Sequence, residues 1–382
     1  MKDRMPAEAF PPGEFMREEL EARGWSQTDL AQIIGRPHRV VNEIVAGKRA
    51  VTPETAKELG EAFGTSPQLW MNLETSWRLW KDRARNETIA RKARLYSLAP
   101  IGEMVRRGWL EDSSNVAVLE QRVLRFFELP SLDQEPALLR HAARKSASYE
   151  TVTAPLRAWI YRARQLAQKA PVSGSFSPET LEDALNALRA LRQSTEGVRE
   201  VPRVLARAGI RFVVVAHLNR TKVDGATLWL EGSPVIAVSM RYDRLDWFWF
   251  TLMHELAHVR KEHGRDAPII DSELVGATRE AEGKGAGKPQ EEGAADAFAA
   301  DFCVPDAEMT SFIQRVRPLY SKTQIRGFAA RLAVHPALVV GQLQRRNEIQ
   351  YAHSRETLDK VRHLVTATAL TDGWGNIPPV GE

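Results

Sequence analysis

The pattern His254-Glu255-Leu256-Ala257-His258 is the densest grouping of chemistry-bearing side chains in this 382-residue sequence. On a helix, residues four apart share one face, so the two imidazoles can converge on a single zinc ion. Glu255 lies one step round and can reach a water held by that ion. A structural zinc site offers four side-chain ligands, whereas a catalytic one offers three and keeps a position for water. The chain has one cysteine, Cys303, so the third ligand is expected from His, Asp or Glu. Glu292 is the best candidate, with Glu291 and Asp301 as fallbacks. Glu292 and Asp296 are four apart, which lets Glu292 bind metal while Asp296 holds a ligand histidine by its second nitrogen. His263, five beyond His258, points off the shared face and is expected to support the substrate cleft or the helix end.

These residues need elements to hold them. Trp247-Phe248-Trp249-Phe250-Thr251-Leu252-Met253 leads into the motif and reads as an apolar helix. Before it, residues 210–215, 227–230 and 235–239 read as strands, with Asp224-Gly225 and Glu231-Gly232-Ser233-Pro234 as turns. A small sheet therefore precedes the helix, and its edge strand can align an extended peptide. Residues 291–302 predict a second helix burying Ala295, Phe298, Ala299 and Phe302. Between the two, 267–271 reads as a short ordered segment. The Gly-, Lys- and Glu-rich stretch 276–290 reads as a loop over the cleft, either a lid or plain disorder.

The N-terminal block, Phe10 to about Trp80, is helical by its apolar spacing. Ser26 is a good N-cap for residues 27–34, Gly35 ends that helix, and Pro37 starts the next, His38 to Val45. Two short helices around a tight glycine turn make a helix-turn-helix. A third helix follows from Pro53.

The stretch WSQTDLAQIIGRPHRVVNEIVAGKRAVTPETAKELGEAFGTSPQLWMNLE, from Trp25 to Glu74, resembles the DNA-binding domain of HigA-type antitoxins, within the Cro/repressor-like class. In that class the second helix of the motif enters the major groove of an operator. The resemblance puts His38, Arg39 and Asn42 on the base-reading face, with Gln27 beside them and Lys48 and Arg49 on phosphate. A helical protein-interaction module is the alternative. Pro37 and His38 depart from the small polar pair usual in the family, which leaves the operator sequence open.

The stretches RYDRLDWFWFTLMHELAHVRKEH and EEGAADAFAADFCVP resemble the ImmA/IrrE family of metallo-endopeptidases, over roughly 200–345. The resemblance implies a zincin-like domain in which His254, His258 and Glu292 bind Zn2+ and Glu255 is the general base. Glu292 with Asp296 is also similar to the Glu-x-x-x-Asp arrangement of thermolysin-like peptidases. The family usually has a second acid where Ala294 stands and Asn where Asp296 stands. The implied reaction is peptide hydrolysis: zinc polarises the carbonyl and lowers the pKa of its water from about 15.7 towards roughly 7. Glu255 passes the proton to the leaving amine. Arg241, Tyr242 and His263 are candidates for the further oxyanion donor.

The remaining features bound the reading. Hydrophobic content of 43% and charged content of 27% are ordinary for a globular chain, and a net charge of +4 does not by itself argue for nucleic acid. No apolar run approaches the roughly 20 residues that cross a membrane, and no signal-peptide core follows Met1. A lone cysteine fits a reducing cytoplasm. Residues 82–200 read as helical and chemically quiet, with Leu138, Leu139, Ala142, Leu156, Trp159, Ile160 and Leu166 as core. Arg83, Arg85, Arg91, Lys92 and Arg94 read as a solvated basic face, with extra phosphate contact beside the helix-turn-helix as the weaker alternative. Residues 324–332 and 336–344 look like a second helix-turn-helix that packs on the peptidase domain, and 371–382 reads as a loose tail.

The expected fold is mainly α with a small β-sheet (α+β). Its expected parts are a helix-turn-helix domain at 1–82, a helical linker at 83–200, a zinc peptidase domain at 201–346, and a C-terminal helix and tail at 347–382. The expected protein is a DNA-binding transcriptional regulator whose zinc endopeptidase cuts a repressor or partner protein, in a toxin–antitoxin or stress setting. A cognate toxin and a homodimer are further partners on this reading. The alternative is a non-proteolytic antitoxin or repressor with a structural or sensory zinc, and the intact Glu255 argues against it.

Overall fold

A computed structural model of the protein describes residues 9–134, 136, 153–272 and 290–373. It divides into two units, Met1–Ala93 and Arg94–Glu382.

In the first unit local signals set the helices. These are α1 (Pro12–Arg23), α2 (Gln27–Ile33), α3 (His38–Val45), α4 (Pro53–Phe63) and α5 (Pro67–Lys81). The Ser26 hydroxyl accepts from the Asp29 N–H, and the Asp29 carboxylate accepts from the Ser26 N–H, which closes a capping box. Gly35, at φ 65°, turns the chain out of α2 in the left-handed region that a Cβ would disfavour. Thr52 and Ser66 cap α4 and α5, each followed by proline at the first helical position. Met16, Leu30, Val41, Ile44, Leu59, Phe63 and Trp70 form the buried core.

The second unit holds the end of α6 (Arg83–Leu98), then α7 (Ile101–Arg106), α8 (Val116–Phe126), α9 (Ala154–Ala167), α10 (Pro178–Leu191) and α11 (Val201–Arg207). The strands are β1 (Arg211–Val214), β2 (Val223–Leu230), β3 (Ser233–Val238), β4 (Ile269–Ser272) and β5 (Leu370–Thr371). The remaining helices are α12 (Leu245–Arg260), α13 (Gln290–Cys303), α14 (Asp306–Val316), α15 (Lys322–Arg331), α16 (Pro336–Arg345) and α17 (Arg362–Thr366). The sheet runs β4-β2-β3-β1-β5, with β4-β2-β3 antiparallel and β3-β1-β5 parallel.

Both faces of this sheet are covered, and the period of two along each strand assigns the faces. Val213, Val215, Ala226, Val235, Ala237 and Ile270 join a core with α7, α8 and α9, in which the Trp159 indole donates to the Val215 carbonyl at 2.8 Å. Phe212, Val214, Ile236 and Val238 face the other way, onto α10, α11 and α12. Helices α7, α8 and α9, from the stretch expected as a helical linker, share the first of these cores with the sheet and lie in the same unit. Helix α12 is buried all round, Leu245 to Val259 without a break, and its polar side chains His254, Glu255 and His258 lie on the faces that carry the site.

Two expectations are corrected. Asp224-Gly225 is not a turn but the start of β2, at a register shift between Val223 and Gly225. Asp-Gly favours a turn in isolation, whereas pairing to β3 and β4 on both sides keeps it extended here. Thr371, expected at the head of a loose tail, pairs with Val214 of β1 as the second residue of β5. The helix-turn-helix-like pair α15 and α16 buries Phe328, Leu338, Val340 and Leu343 in the core around α12. Leu138, Leu139, Ala142, residues 276–289 and the tail from 374 lie outside the described residues. No helix among the described residues is long and apolar enough to cross a membrane.

Candidate metal centre

His254 and His258 lie on the face of α12 turned towards β4 and α13. Their Nε2 atoms are 3.1 Å apart and both side chains are buried. Glu292, in the first turn of α13, brings Oε2 to 3.3 Å from His254 Nε2 and Oε1 to 3.8 Å from His258 Nε2. A fourth side chain arrives from the sheet. Asp271 of β4 places Oδ2 3.5 Å from His254 Nε2 and 3.7 Å from His258 Nε2.

These spacings can be tested against a bound ion. Ligand bonds of about 2.1 Å in a tetrahedron put neighbouring ligand atoms about 3.4 Å apart. The five separations just given run from 3.1 to 3.8 Å, and the four ligand atoms all lie within 4.8 Å of one another. The donor set of two imidazoles and two carboxylates suits zinc among other first-row ions. Of the three acids weighed for the third ligand, Glu292 reaches the histidines. Glu291 is exposed, and Asp301 is exposed and accepts the Asp306 N–H.

The far nitrogen of each histidine is held. His254 Nδ1 meets Asp296 Oδ1 at 3.1 Å, and Asp296 Oδ2 pairs with Arg345 of α16 at 2.9 Å. The Arg345 guanidinium in turn lies 3.9 Å over the Phe250 ring. His258 Nδ1 meets His263 Nδ1 at 3.0 Å, and the His263 carbonyl accepts from the Trp229 indole at 2.8 Å. Such contacts fix ring orientation and direct Nε2 at the centre. His263 thus backs His258. Arg241 and Tyr242 are placed differently. Arg241 donates to the Lys222 carbonyl and to the Tyr242 hydroxyl, and both line a small cavity with Asp224, Trp247 and Thr251.

Glu255 is fully buried beside the cluster. Its Oε2 accepts from Thr227 Oγ1 at 2.8 Å, while Oε1 has no hydrogen-bond partner among the described residues. Gly225 makes the room: a Cβ there would stand 2.1 Å from Oε1. Electrostatically the metal-free cluster is polarised. Burial, with the Asp271 charge, holds the Glu255 carboxyl well above the usual carboxylate range. Burial also raises Glu292 and pushes His258 down to about 4, which leaves its ring neutral. Burial would lower His254 too, but the carboxylates of Asp271, Asp296 and Glu292 outweigh it and hold that ring well above the ordinary histidine value. Asp271 goes the other way: burial opposes its charge, and the two histidines overcome that.

In the first unit His38, Arg39 and Asn42 are exposed along one side of α3, near its N-terminal end. Asn42 donates to the Gln27 side chain at 3.2 Å, which ties α3 to the start of α2. Arg39 and Arg49 both pair with Glu43, at 2.7 and 3.2 Å, and Lys48 stands exposed in the turn after α3.

Residues 16–70 match the family described as Helix-turn-helix, and residues 206–340 match the IrrE N-terminal-like domain. An uncharacterized HTH-type transcriptional regulator of Escherichia coli, YddM, is 34% identical over 68 residues, which are 18% of this chain and 72% of that protein. The chain belongs to the helix-turn-helix regulators and carries an IrrE N-terminal-like domain. Virulence-associated protein I of Dichelobacter nodosus is 39% identical over 79 residues, 20% of this chain and 71% of its own. Among solved structures, the Pseudomonas aeruginosa antitoxin HigA with its higBA promoter is 34% identical, covering 21% of this chain and 88% of its own, with a TM-score of 0.20. A HigA-family addiction module antidote protein of Coxiella burnetii is 34% identical over 20% of this chain and 90% of its own, with a TM-score of 0.19.

The IrrE N-terminal-like domain belongs to a metallopeptidase class, and the histidine–carboxylate cluster lies inside it. Sequence reasoning missed Asp271. Ile269-Ile270-Asp271 was visible as an ordered segment, but its face was not. Gly225 pairs with Asp271 and Thr227 with Ile269, and residues paired across strands share a face. Gly225 and Thr227 both touch Glu255, so Asp271 faces α12 as well. A single acid in a short apolar strand was the available signal.

Proposed function

We propose that the IrrE N-terminal-like domain is a zinc-dependent endopeptidase and that the helix-turn-helix domain reads operator DNA, so that the protein regulates transcription by cutting a repressor or partner protein. The observation that carries this reading is Glu255. A carboxylate buried beside the ligand cluster, with one oxygen unpartnered and a glycine opposite to make room for it, has no use in a purely structural site. His254, His258 and Glu292 would hold the ion, with Asp296 and His263 fixing the two rings. Bound zinc supplies Lewis acidity and a water acidified towards neutral pH. With the ion bound, Glu255 would take up a proton beside the centre and return it to the leaving amine. The ion's positive charge would offset the burial that raises the Glu255 carboxyl. On the DNA side, Arg39 and Asn42 contact bases, with Gln27 and His38 beside them, and Lys48 and Arg49 contact phosphate.

The test is Glu255→Gln in the full chain, measured against the chain itself and a peptide library by mass spectrometry. Cleavage should vanish while zinc content stays the same. Equal cleavage by the variant refutes the assigned base, and a parent chain that cuts nothing and holds no zinc refutes the enzyme. One observation favours a second reading, a non-proteolytic regulator with a closed zinc site: four ligand side chains converge where three would suffice.

A further inference from the structure

We infer that Asp271 is a fourth metal ligand that closes the centre in the resting chain and must leave before a peptide can be cut. The inference rests on the metallopeptidase reading and extends it to how that site is controlled.

Asp271 Oδ2 stands 3.5 and 3.7 Å from the two histidine Nε2 atoms, at the spacing tetrahedral neighbours require. The side chain is 5% exposed, and Oδ2 has no hydrogen-bond partner among the described residues. An ionised carboxylate buried this way needs a cation beside it: the His254 ring, 3.5 Å away, before metal binds, and the ion itself once it has displaced that ring's proton. Both histidines and Glu292 converge on the same point, so the ion they hold is the partner within reach. A site with three ligands from α12 and α13 keeps a position open; with Asp271 in place it does not.

The strand that carries Asp271 makes the closure reversible. Among the described residues β4 spans Ile269–Ser272, lies at the end of the sheet and pairs with β2 alone. The β2–β4 ladder is already irregular at Val223 and Gly225, and Gly225 is the residue that pairs with Asp271. An extended peptide binds a peptidase of this build by adding to the sheet edge, and here that edge is β4. The same strand therefore offers substrate its docking edge and the metal its fourth ligand, so seating a peptide on β4 and releasing Asp271 become one movement.

The test uses the full chain loaded with Co2+ in place of zinc, read by visible absorption. With the centre closed, the parent spectrum should be unchanged between pH 6 and 9 and on addition of azide, because no position is left for solvent or anion. Asp271→Asn should acquire both responses and lose on the order of tenfold or more in metal affinity. Asp271→Ala, checked for parent-like circular dichroism, should do the same. A parent spectrum that already shifts with pH and azide, with Asp271→Asn matching it in affinity, overturns the inference while leaving the three-ligand peptidase intact. A parent that binds no Co2+ or Zn2+ overturns both.

Discussion

Gly225→Ala tests the architecture around Glu255 with a single methyl group. The new Cβ would stand 2.1 Å from Glu255 Oε1, 2.8 Å from Cδ and 3.1 Å from Cγ. Carbon contacts are comfortable at about 3.5–4.0 Å, so the overlap at the carboxylate exceeds about 1 Å. Gly225 does not occupy the left-handed region, so alanine carries no backbone penalty and the whole effect comes from this contact. Neither side can yield easily. β2 is paired to β3 and β4, and α12 is buried along its length. The Glu255 side chain must swing, which also breaks its hydrogen bond from Thr227. Overpacking costs about 1–3 kcal/mol and the lost hydrogen bond about 1 kcal/mol, for a total of about 2–4 kcal/mol. In a Glu255→Ala background the clashing atoms are gone. There the same substitution should be neutral, or stabilising by up to about 1 kcal/mol through the unfolded chain. Urea unfolding of the four proteins, with metal removed by chelator, gives the coupling directly. A loss of equal size in both backgrounds would show that Gly225 is not kept small for Glu255, and the argument would fail.

Metal uptake should be linked to protons. His254 holds its proton at pH 7 in the metal-free chain, because the surrounding carboxylates keep its pKa well above the ordinary value, whereas His258 is already neutral. An ion can bind His254 Nε2 only by expelling that proton, so binding at pH 7 should release at least one proton and tighten as pH rises. Calorimetry in buffers of different ionisation enthalpy measures this, and no release would mean His254 is neutral before binding. Replacing Arg39 and Asn42 with alanine should remove a gel shift on DNA from the protein's own promoter, each base contact being worth about 1–3 kcal/mol. Retained binding would move base readout away from α3. Lys48→Ala should instead weaken binding at every sequence and lower the salt slope by about one.

The sequence alone determined what depends on neighbours along the chain. Ser26, Gly35 and Pro37 mark the ends of α2 and the start of α3 because capping and φ preferences act within a few residues. His254 and His258 share a face because the helix repeats every 3.6 residues, and Glu292 and Asp296 share one for the same reason. The tertiary structure alone decided which groups answer those faces. Arg345 reaches Asp296 from a helix nearly fifty positions later, and Asp271 reaches the histidines through a strand pairing. The helices before β1 turned out to cover the sheet, which no local pattern announces. Gly225 looked like a turn because Asp-Gly favours one in isolation, yet two ladder partners hold it extended against Glu255. Register between strands and packing between helices are set by contacts far apart in sequence. A one-residue slip of β4 would turn Asp271 to the opposite face and leave the centre with three ligands.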